Sequence, residues 1–162
     1  MDLNNNITNL SAETRVWIYQ SSRPFSSEEL SDIKTQVDTF AQGWVSHSQA
    51  LKAQANIYHN RFLVLMVDES QAGASGCSID SSVSFVRRLQ QQYGVDFFDR
   101  MTFAWKDGEE VKTAQKEDFA KLYHEGVINE STLVFDNLVA TKGDFEAGWL
   151  KPLGESWHAR MV

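Results

Sequence analysis

The residues most suggestive of catalytic chemistry are Asp68 and Glu69, which directly follow an apolar segment, residues 62–67. A strand that ends in Asp-Glu is typical of a Walker B segment, in which the aspartate helps hold Mg²⁺ and the glutamate polarises water. That chemistry also needs a G-x-x-x-x-G-K-[ST] loop, because its amides and lysine neutralise the phosphates. No such loop precedes Asp68, and the Gly-rich segment 73–78 contains no lysine. We therefore expect that the protein is not a functional ATPase.

The loop of small residues at positions 70–80 is a second candidate, for binding rather than catalysis. It leads into a predicted helix that begins near Ser78 or Asp80, and a helix N-terminus presents free backbone amides to polar ligands. The structural alternative is that Gly73 and Gly76 permit a tight turn while Ser78 or Asp80 caps the helix. Acidic residues on both sides of the loop oppose an anionic ligand. The ligand-binding prediction names Ser75, Gly76, Ser78 and Asp80.

Cys77, in the same loop, is the candidate nucleophile. A helix N-terminus lowers the pKa of a thiol, and a catalytic cysteine also needs a histidine as its base. If the strands are joined by parallel crossovers, His47 and His124 lie at the same sheet edge as Cys77. His59 then lies at the opposite edge. A Cys77-dependent hydrolase or transferase would follow, but we expect the alternative, a small buried side chain packed near Val83.

The composition narrows the classes of partner. The 162 residues carry a formal net charge of −7, and we find no compensating stripe of lysine and arginine. An acidic surface repels phosphate backbones and anionic lipids, so we expect neither a nucleic acid nor a membrane partner. The longest apolar run, residues 62–67, is far too short to span a bilayer.

The cysteine and histidine content argues against a metal centre. With one cysteine, the chain can form no intramolecular disulfide and no cysteine-based zinc site. No two of the four histidines stand at the spacing of metal ligands, so we expect no metal and no cofactor. Residues 1–6 lack the basic and apolar regions of a signal peptide, which favours a cytoplasmic location.

The elements that must position these residues alternate between strand and helix. We expect residues 1–12 to be a polar lead-in and residues 13–162 to form a single α+β domain. The pattern predicts a mixed six-stranded sheet with about four helices packed mainly on one face. The predicted strands are 15–19, 51–57, 62–67, 101–105, 111–113 and 132–139. The predicted helices begin at Ser26, near Ser78, at residue 114 and, with a break at Pro152, in the tail from Phe145 to Met161.

Several local signals accompany these elements. Ser26 with Glu29 predicts a capping box, and the apolar run 62–67 predicts a buried central strand. Asp136, inside the sixth strand, predicts a salt bridge with Arg15, Arg23 or Arg100. Further signals predict a hairpin turn at His59-Asn60, a helix end at Gly94, and a tail in which Trp149, Trp157 and His158 pack on the sheet or form a dimer surface.

Three segments resemble an uncharacterised bacterial family whose members often bear the label "ABC transporter ATPase". They are residues 15–19, residues 75–80 and the triplet Ser156-Trp157-His158. The resemblance covers most of the chain from about residue 13, and it implies no established activity. The phosphate-binding loop and signature motif of true transporter ATPases are both missing.

These observations favour a non-catalytic cytoplasmic binding or interaction module. Its partner would be a small polar molecule or a protein, with the loop 70–80 as the predicted site. The alternatives are the Cys77-dependent enzyme and a structural homodimer.

Overall fold

The computed structural model describes residues 10–70 and 72–162. Most of the predicted lead-in, residues 1–9, lies outside the described residues. The strands, in chain order, are β1 (Arg15–Gln20), β2 (Val45–Ser46), β3 (Gln49–Ala50), β4 (Lys52–Tyr58), β5 (Phe62–Asp68), β6 (Thr102–Asp107), β7 (Glu110–Gln115), β8 (Leu133–Phe135) and β9 (Leu150–Pro152). The helices are α1 (Ser27–Gly43), α2 (Gly76–Tyr93), α3 (Lys116–His124) and α4 (Lys142–Gly148), followed by two 3₁₀ turns, Leu153–Glu155 and Trp157–Met161.

The chain contacts divide into two compact units. The first unit comprises residues up to Phe98 together with Ala140–Phe145, and the second comprises Asp99–Val139 and Glu146–Val162. The helices and strands confirm the α+β class for the described residues. The expectation of a single domain stays a prediction.

The first unit is built around β5. The sheet order is β1-β5-β4 with both pairs antiparallel, and every residue of β5 is buried. The prediction of a central, buried strand at residues 62–67 is confirmed. Helices α1 and α2 pack on one face of this sheet, where Ile33 and Val37 of α1 and Val86 of α2 meet Leu63 and Leu65. The apolar spacing along each helix explains this placement, because residues three and four apart share one face.

The prediction of one mixed six-stranded sheet is wrong. The described strands form three separate sheets of three, two and four strands, and every pairing is antiparallel. Parallel crossovers assume one direction for the predicted strands 15–19, 51–57, 111–113 and 132–139, and the opposite direction for 62–67 and 101–105. These directions hold for β1, β4 and β5, because β1 and β4 both run antiparallel to β5. Within the second sheet β6 runs antiparallel to both β7 and β8, which also agrees with the assumed directions. What fails is the membership of a single sheet, because β6 opens a new sheet, with order β7-β6-β8-β9, instead of extending the first one.

The turn and capping signals are largely confirmed. The Ser26 side chain accepts a hydrogen bond from the Glu29 amide, and the Glu29 carboxylate accepts one from the Ser26 amide. His59 and Asn60 adopt φ values of 51° and 59°, the left-handed region that a tight hairpin requires. Helix α2 ends at Gly94 with φ 62°, a left-handed cap that glycine adopts without strain.

The second unit departs from prediction in its last third. Its core is formed by Phe103, Trp105, Phe119, Ile128, Val134 and Leu153. The sixth strand extends only over Leu133–Phe135, because the chain turns after Asp136, whose side chain accepts from the Leu138 amide and whose carbonyl accepts from the Val139 amide. The predicted tail helix is confirmed only in part, since Phe145 is helical and the tail is interrupted at Pro152, but residues 150–152 form a strand and the remainder forms 3₁₀ turns. After α4 the chain forms β9, an edge strand that ends at Pro152, where the missing N–H of proline costs no sheet hydrogen bond.

No helix among the described residues is long and apolar enough to cross a membrane.

Candidate functional site

The two carboxylates that follow β5 are occupied by contacts within the chain. Asp68 is 5% exposed, and its carboxylate accepts hydrogen bonds from the Ser70 amide at 3.0 Å and pairs with Lys52 Nζ at 3.5 Å. The Ser70 hydrogen bonds and the Lys52 charge lower the pKa of Asp68. The Glu69 carboxylate accepts from the Ala74 amide at 2.8 Å and lies 3.6 Å from Arg15 Nε. Both groups hold the loop together.

The predicted ligand residues lie together on the first turn of α2, but their polar groups are used locally. Helix α2 begins at Gly76, earlier than predicted, because Ser75 and not Ser78 or Asp80 is its cap. Ser75 Oγ accepts from the Ser78 amide at 3.2 Å, and Ser78 Oγ accepts from the Ser75 amide at 2.6 Å. Gly76 and Asp80 are exposed. An anion would compete here with the Glu69 carboxylate and with this serine pair.

The alternative enzyme would use Cys77, His47 and His124, which lie on different elements and are all exposed. Cys77 is exposed, so the expectation that it is buried is wrong. The earlier start of α2 explains the error, because it turns Ser78 and Ser82 to the buried face and leaves Cys77 outside. His47 is exposed in the turn between β2 and β3, and β2 contacts α2 within the first unit. His124 is the exposed last residue of α3 in the second unit.

A groove between α1 and β4 is a site that the sequence prediction missed. Its volume is about 350 Å³. The groove is open because the alanines that line it, Ala41, Ala53 and Ala55, have small side chains. Among the lining residues, Asp38 carries a charge. The lining residues are Asp38, Ala41 and Gln42 from α1, and Ala53, Gln54, Ala55 and Asn56 from β4.

The outer edge of β4 borders this groove, and no described strand pairs with it. The Arg61 amide donates to the Tyr58 carbonyl at 3.1 Å, so that carbonyl points to the β5 side. Backbone groups alternate in direction along an antiparallel strand. By this alternation Ala53, Ala55 and Ile57 direct their N–H and C=O groups to the outer edge. The side chains of these same three residues contact the core on the helix-covered face.

Asp136 forms a second polar cluster, in the second unit. It is 8% exposed, and its carboxylate accepts from Lys151 Nζ at 2.8 Å, Trp157 Nε1 at 2.8 Å and the Leu138 amide at 3.0 Å. Burial acts to raise the pKa of Asp136, but the hydrogen bonds from Lys151 and Trp157 outweigh it and the pKa is lowered. A salt bridge was the predicted role. The predicted arginine partners are wrong, because Lys151 is brought close by the β8–β9 pairing.

Together with Asp136, Ser156 and His158 supply the three residue types of a Ser-His-Asp triad, but not its sequence of hydrogen bonds. Ser156 Oγ lies 2.7 Å from His158 Nδ1, within hydrogen-bond distance. The Asp136 carboxylate, however, is engaged by Lys151 and Trp157, and a triad needs it on the imidazole. His158 is 1% exposed and packs against Phe103 and Phe119. The hydrogen-bond order of a catalytic triad is therefore not formed.

His158 makes stability depend on pH. Burial lowers its pKa to about 4 from an ordinary 6.5, even though the Asp136 charge acts to raise it. Below pH 6.5 the His158 imidazole is protonated in the unfolded chain but stays neutral in the folded chain. The free energy of unfolding therefore falls with falling pH. Between pH 6.5 and 5 the loss should reach about 2 kcal/mol. Urea unfolding of wild type and His158→Gln across this range should show the dependence in wild type alone; parallel curves would contradict it.

Metal and homology comparisons add no further assignment. The described residues contain no group of three or more His, Cys, Asp or Glu side chains that could hold a metal ion. No protein-family model, curated protein or solved structure matches this chain, so the geometry alone carries the functional conclusion.

Proposed function

We propose that this protein is a non-catalytic cytoplasmic binding module that takes an extended polypeptide segment as an added strand on the outer edge of β4. The observation that carries the proposal is the groove of about 350 Å³ that lies beside this edge. Strand addition is a common mode of peptide recognition, in which backbone hydrogen bonds supply affinity and side-chain pockets supply specificity. Both components are available here within one unit.

The backbone component comes from Ala53, Ala55 and Ile57. Each directs one donor and one acceptor outward, which matches the repeat of an incoming strand. Lys52 and Asn56, which alternate with these residues, direct their backbone N–H and C=O groups to β5. An added strand would therefore not compete with the existing sheet. Ala53 and Ala55 line the groove with small side chains; Ala53 and Ile57 are part-exposed, and Ala55 is 5% exposed.

The side-chain component comes from the groove itself. Its volume lies at the lower end of the range of about 300–1,000 Å³ that is usual for ligand pockets. Alternate side chains of an added strand would enter it beside Ala41 and Ala53, whereas the others would face away. Gln42 supplies a polar side chain at its lining, whereas Gln54 and Asn56 direct their side chains to the opposite face of the sheet.

The test uses a capped, fluorescently labelled peptide of seven residues in which threonine and valine alternate and the central residue is lysine. Ala53→Pro removes an outward N–H and leaves the β4–β5 hydrogen bonds intact, since proline is tolerated at such edge positions. We expect fluorescence polarisation to show binding to wild type and its loss in Ala53→Pro. Ala53→Ser keeps the N–H and the volume, and should bind as wild type does. Equal binding by the proline variant, with circular dichroism unchanged, would refute strand addition.

The exposure of Cys77 favours a second candidate, the Cys77-dependent hydrolase or transferase. Its base would have to be His47 or His124. We expect the non-catalytic outcome, in which iodoacetamide labels Cys77 in the native protein at the rate of an accessible thiol. His47→Ala and His124→Ala should leave this rate and its pH profile unchanged. A labelling rate that falls in either variant would favour the enzyme.

A further inference from the structure

We infer that the segment bound at β4 carries a lysine or arginine at a groove-facing position, where it pairs with Asp38. This inference rests on the proposed strand addition and adds the chemistry of the partner. The observation behind it is the charge of the groove. Among the seven residues that line it, Asp38 is charged and the others are alanines and neutral amides.

The position of Asp38 fits this role. It lies one helical turn before Ala41 and Gln42 on the groove-facing side of α1, and it is exposed. An added strand points every second side chain towards the helix-covered face. One of these side chains would therefore extend into the groove beside the Asp38 carboxylate. A cation there gains an ion pair, whereas a carboxylate would meet a like charge.

The overall charge acts in the same direction. The chain carries a formal net charge of −7, so a basic segment is attracted over longer range and an acidic one is repelled. Long-range attraction cannot fix a register, however. The contact with Asp38 can, because it selects which residue of the segment enters the groove.

The test compares three capped peptides of alternating threonine and valine that differ only in a central lysine, glutamine or glutamate. In wild type the lysine peptide should bind about two- to five-fold more tightly than the glutamine peptide, the usual range for an exposed ion pair. The glutamate peptide should bind most weakly. In Asp38→Lys the preference for lysine should be lost, and in Asp38→Asn it should shrink to the small difference that the remaining net charge produces. The preference should also disappear in 1 M salt, where charges are screened within about 3 Å.

The outcomes separate the two proposals. If the three peptides bind wild type equally and Ala53→Pro still abolishes binding, the role of Asp38 is overturned and strand addition stands. If Asp38→Lys keeps the preference for lysine, the role of Asp38 is likewise overturned. If none of the three peptides binds wild type, both proposals fail.

Discussion

Replacing Leu65 by alanine should lower the free energy of unfolding by about 2–5 kcal/mol, the range for truncating a fully buried leucine. Leu65 has 0% exposure and lies in the middle of β5, between β1 and β4. Its side chain packs in the core formed with α1 and α2. The cavity left by alanine cannot close easily, because both neighbouring strands are fixed by their hydrogen bonds to β5.

Chemical denaturation followed by circular dichroism measures this effect. Leu133→Ala is the matched control, since Leu133 is 40% exposed, and its change should be less than about 1 kcal/mol. A Leu65→Ala variant as stable as wild type would show that β5 is not the central strand of a packed core.

Replacing Asp136 by alanine should lower the free energy of unfolding by about 3 kcal/mol. The change leaves the Lys151 ammonium group and the Trp157 N–H without their acceptor, and the Leu138 amide loses its partner as well. Lys151 is 26% exposed and can partly rehydrate, which limits the loss. The same denaturation experiment measures the effect.

Two variants show whether the Asp136 effect comes from a buried ion pair. Asp107→Ala disrupts the exposed pair with Lys112 in the same unit and should change stability little. Asp136→Asn combined with Lys151→Met should be more stable than the sum of the single changes predicts, because it removes both charges together. Additive effects in this cycle would contradict a direct interaction.

The parts of the fold that the sequence predicts are those specified by local pattern. The apolar run at residues 62–67 is long enough, and flanked clearly enough, to identify a central strand. The Ser26 and Glu29 pair predicts its capping box because both partners lie within one helical turn. By contrast, the split into separate sheets depends on which distant strands pair, and no local pattern encodes that choice.

The errors at the candidate sites have the same origin. The partners of the Asp136 carboxylate are missed because Lys151 and Trp157 follow it by 15 and 21 positions. The cap of α2 was misplaced because several serines compete, and only the reciprocal bonds of Ser75 and Ser78 decide between them. The exposure of Cys77 follows directly from that shift.

The groove had a weak signal in the sequence. Residues 51–57 alternate as a strand with one solvent-exposed face does, and the inward positions Ala53 and Ala55 are small. This pattern predicts spare volume next to the strand. It cannot show that α1 leaves the volume open, since that depends on Ala41 facing the same space.

Amide hydrogen exchange along β4 tests strand addition most directly. In the free protein the outward amides of Ala53, Ala55 and Ile57 should exchange quickly, and those of Gln54 and Asn56, which bond to β5, should exchange slowly. Saturation with the lysine peptide should slow the three outward amides and leave the other two unchanged. If all five amides are already protected in the free protein, or if the peptide protects none of the outward three, the outer edge of β4 is not the binding site.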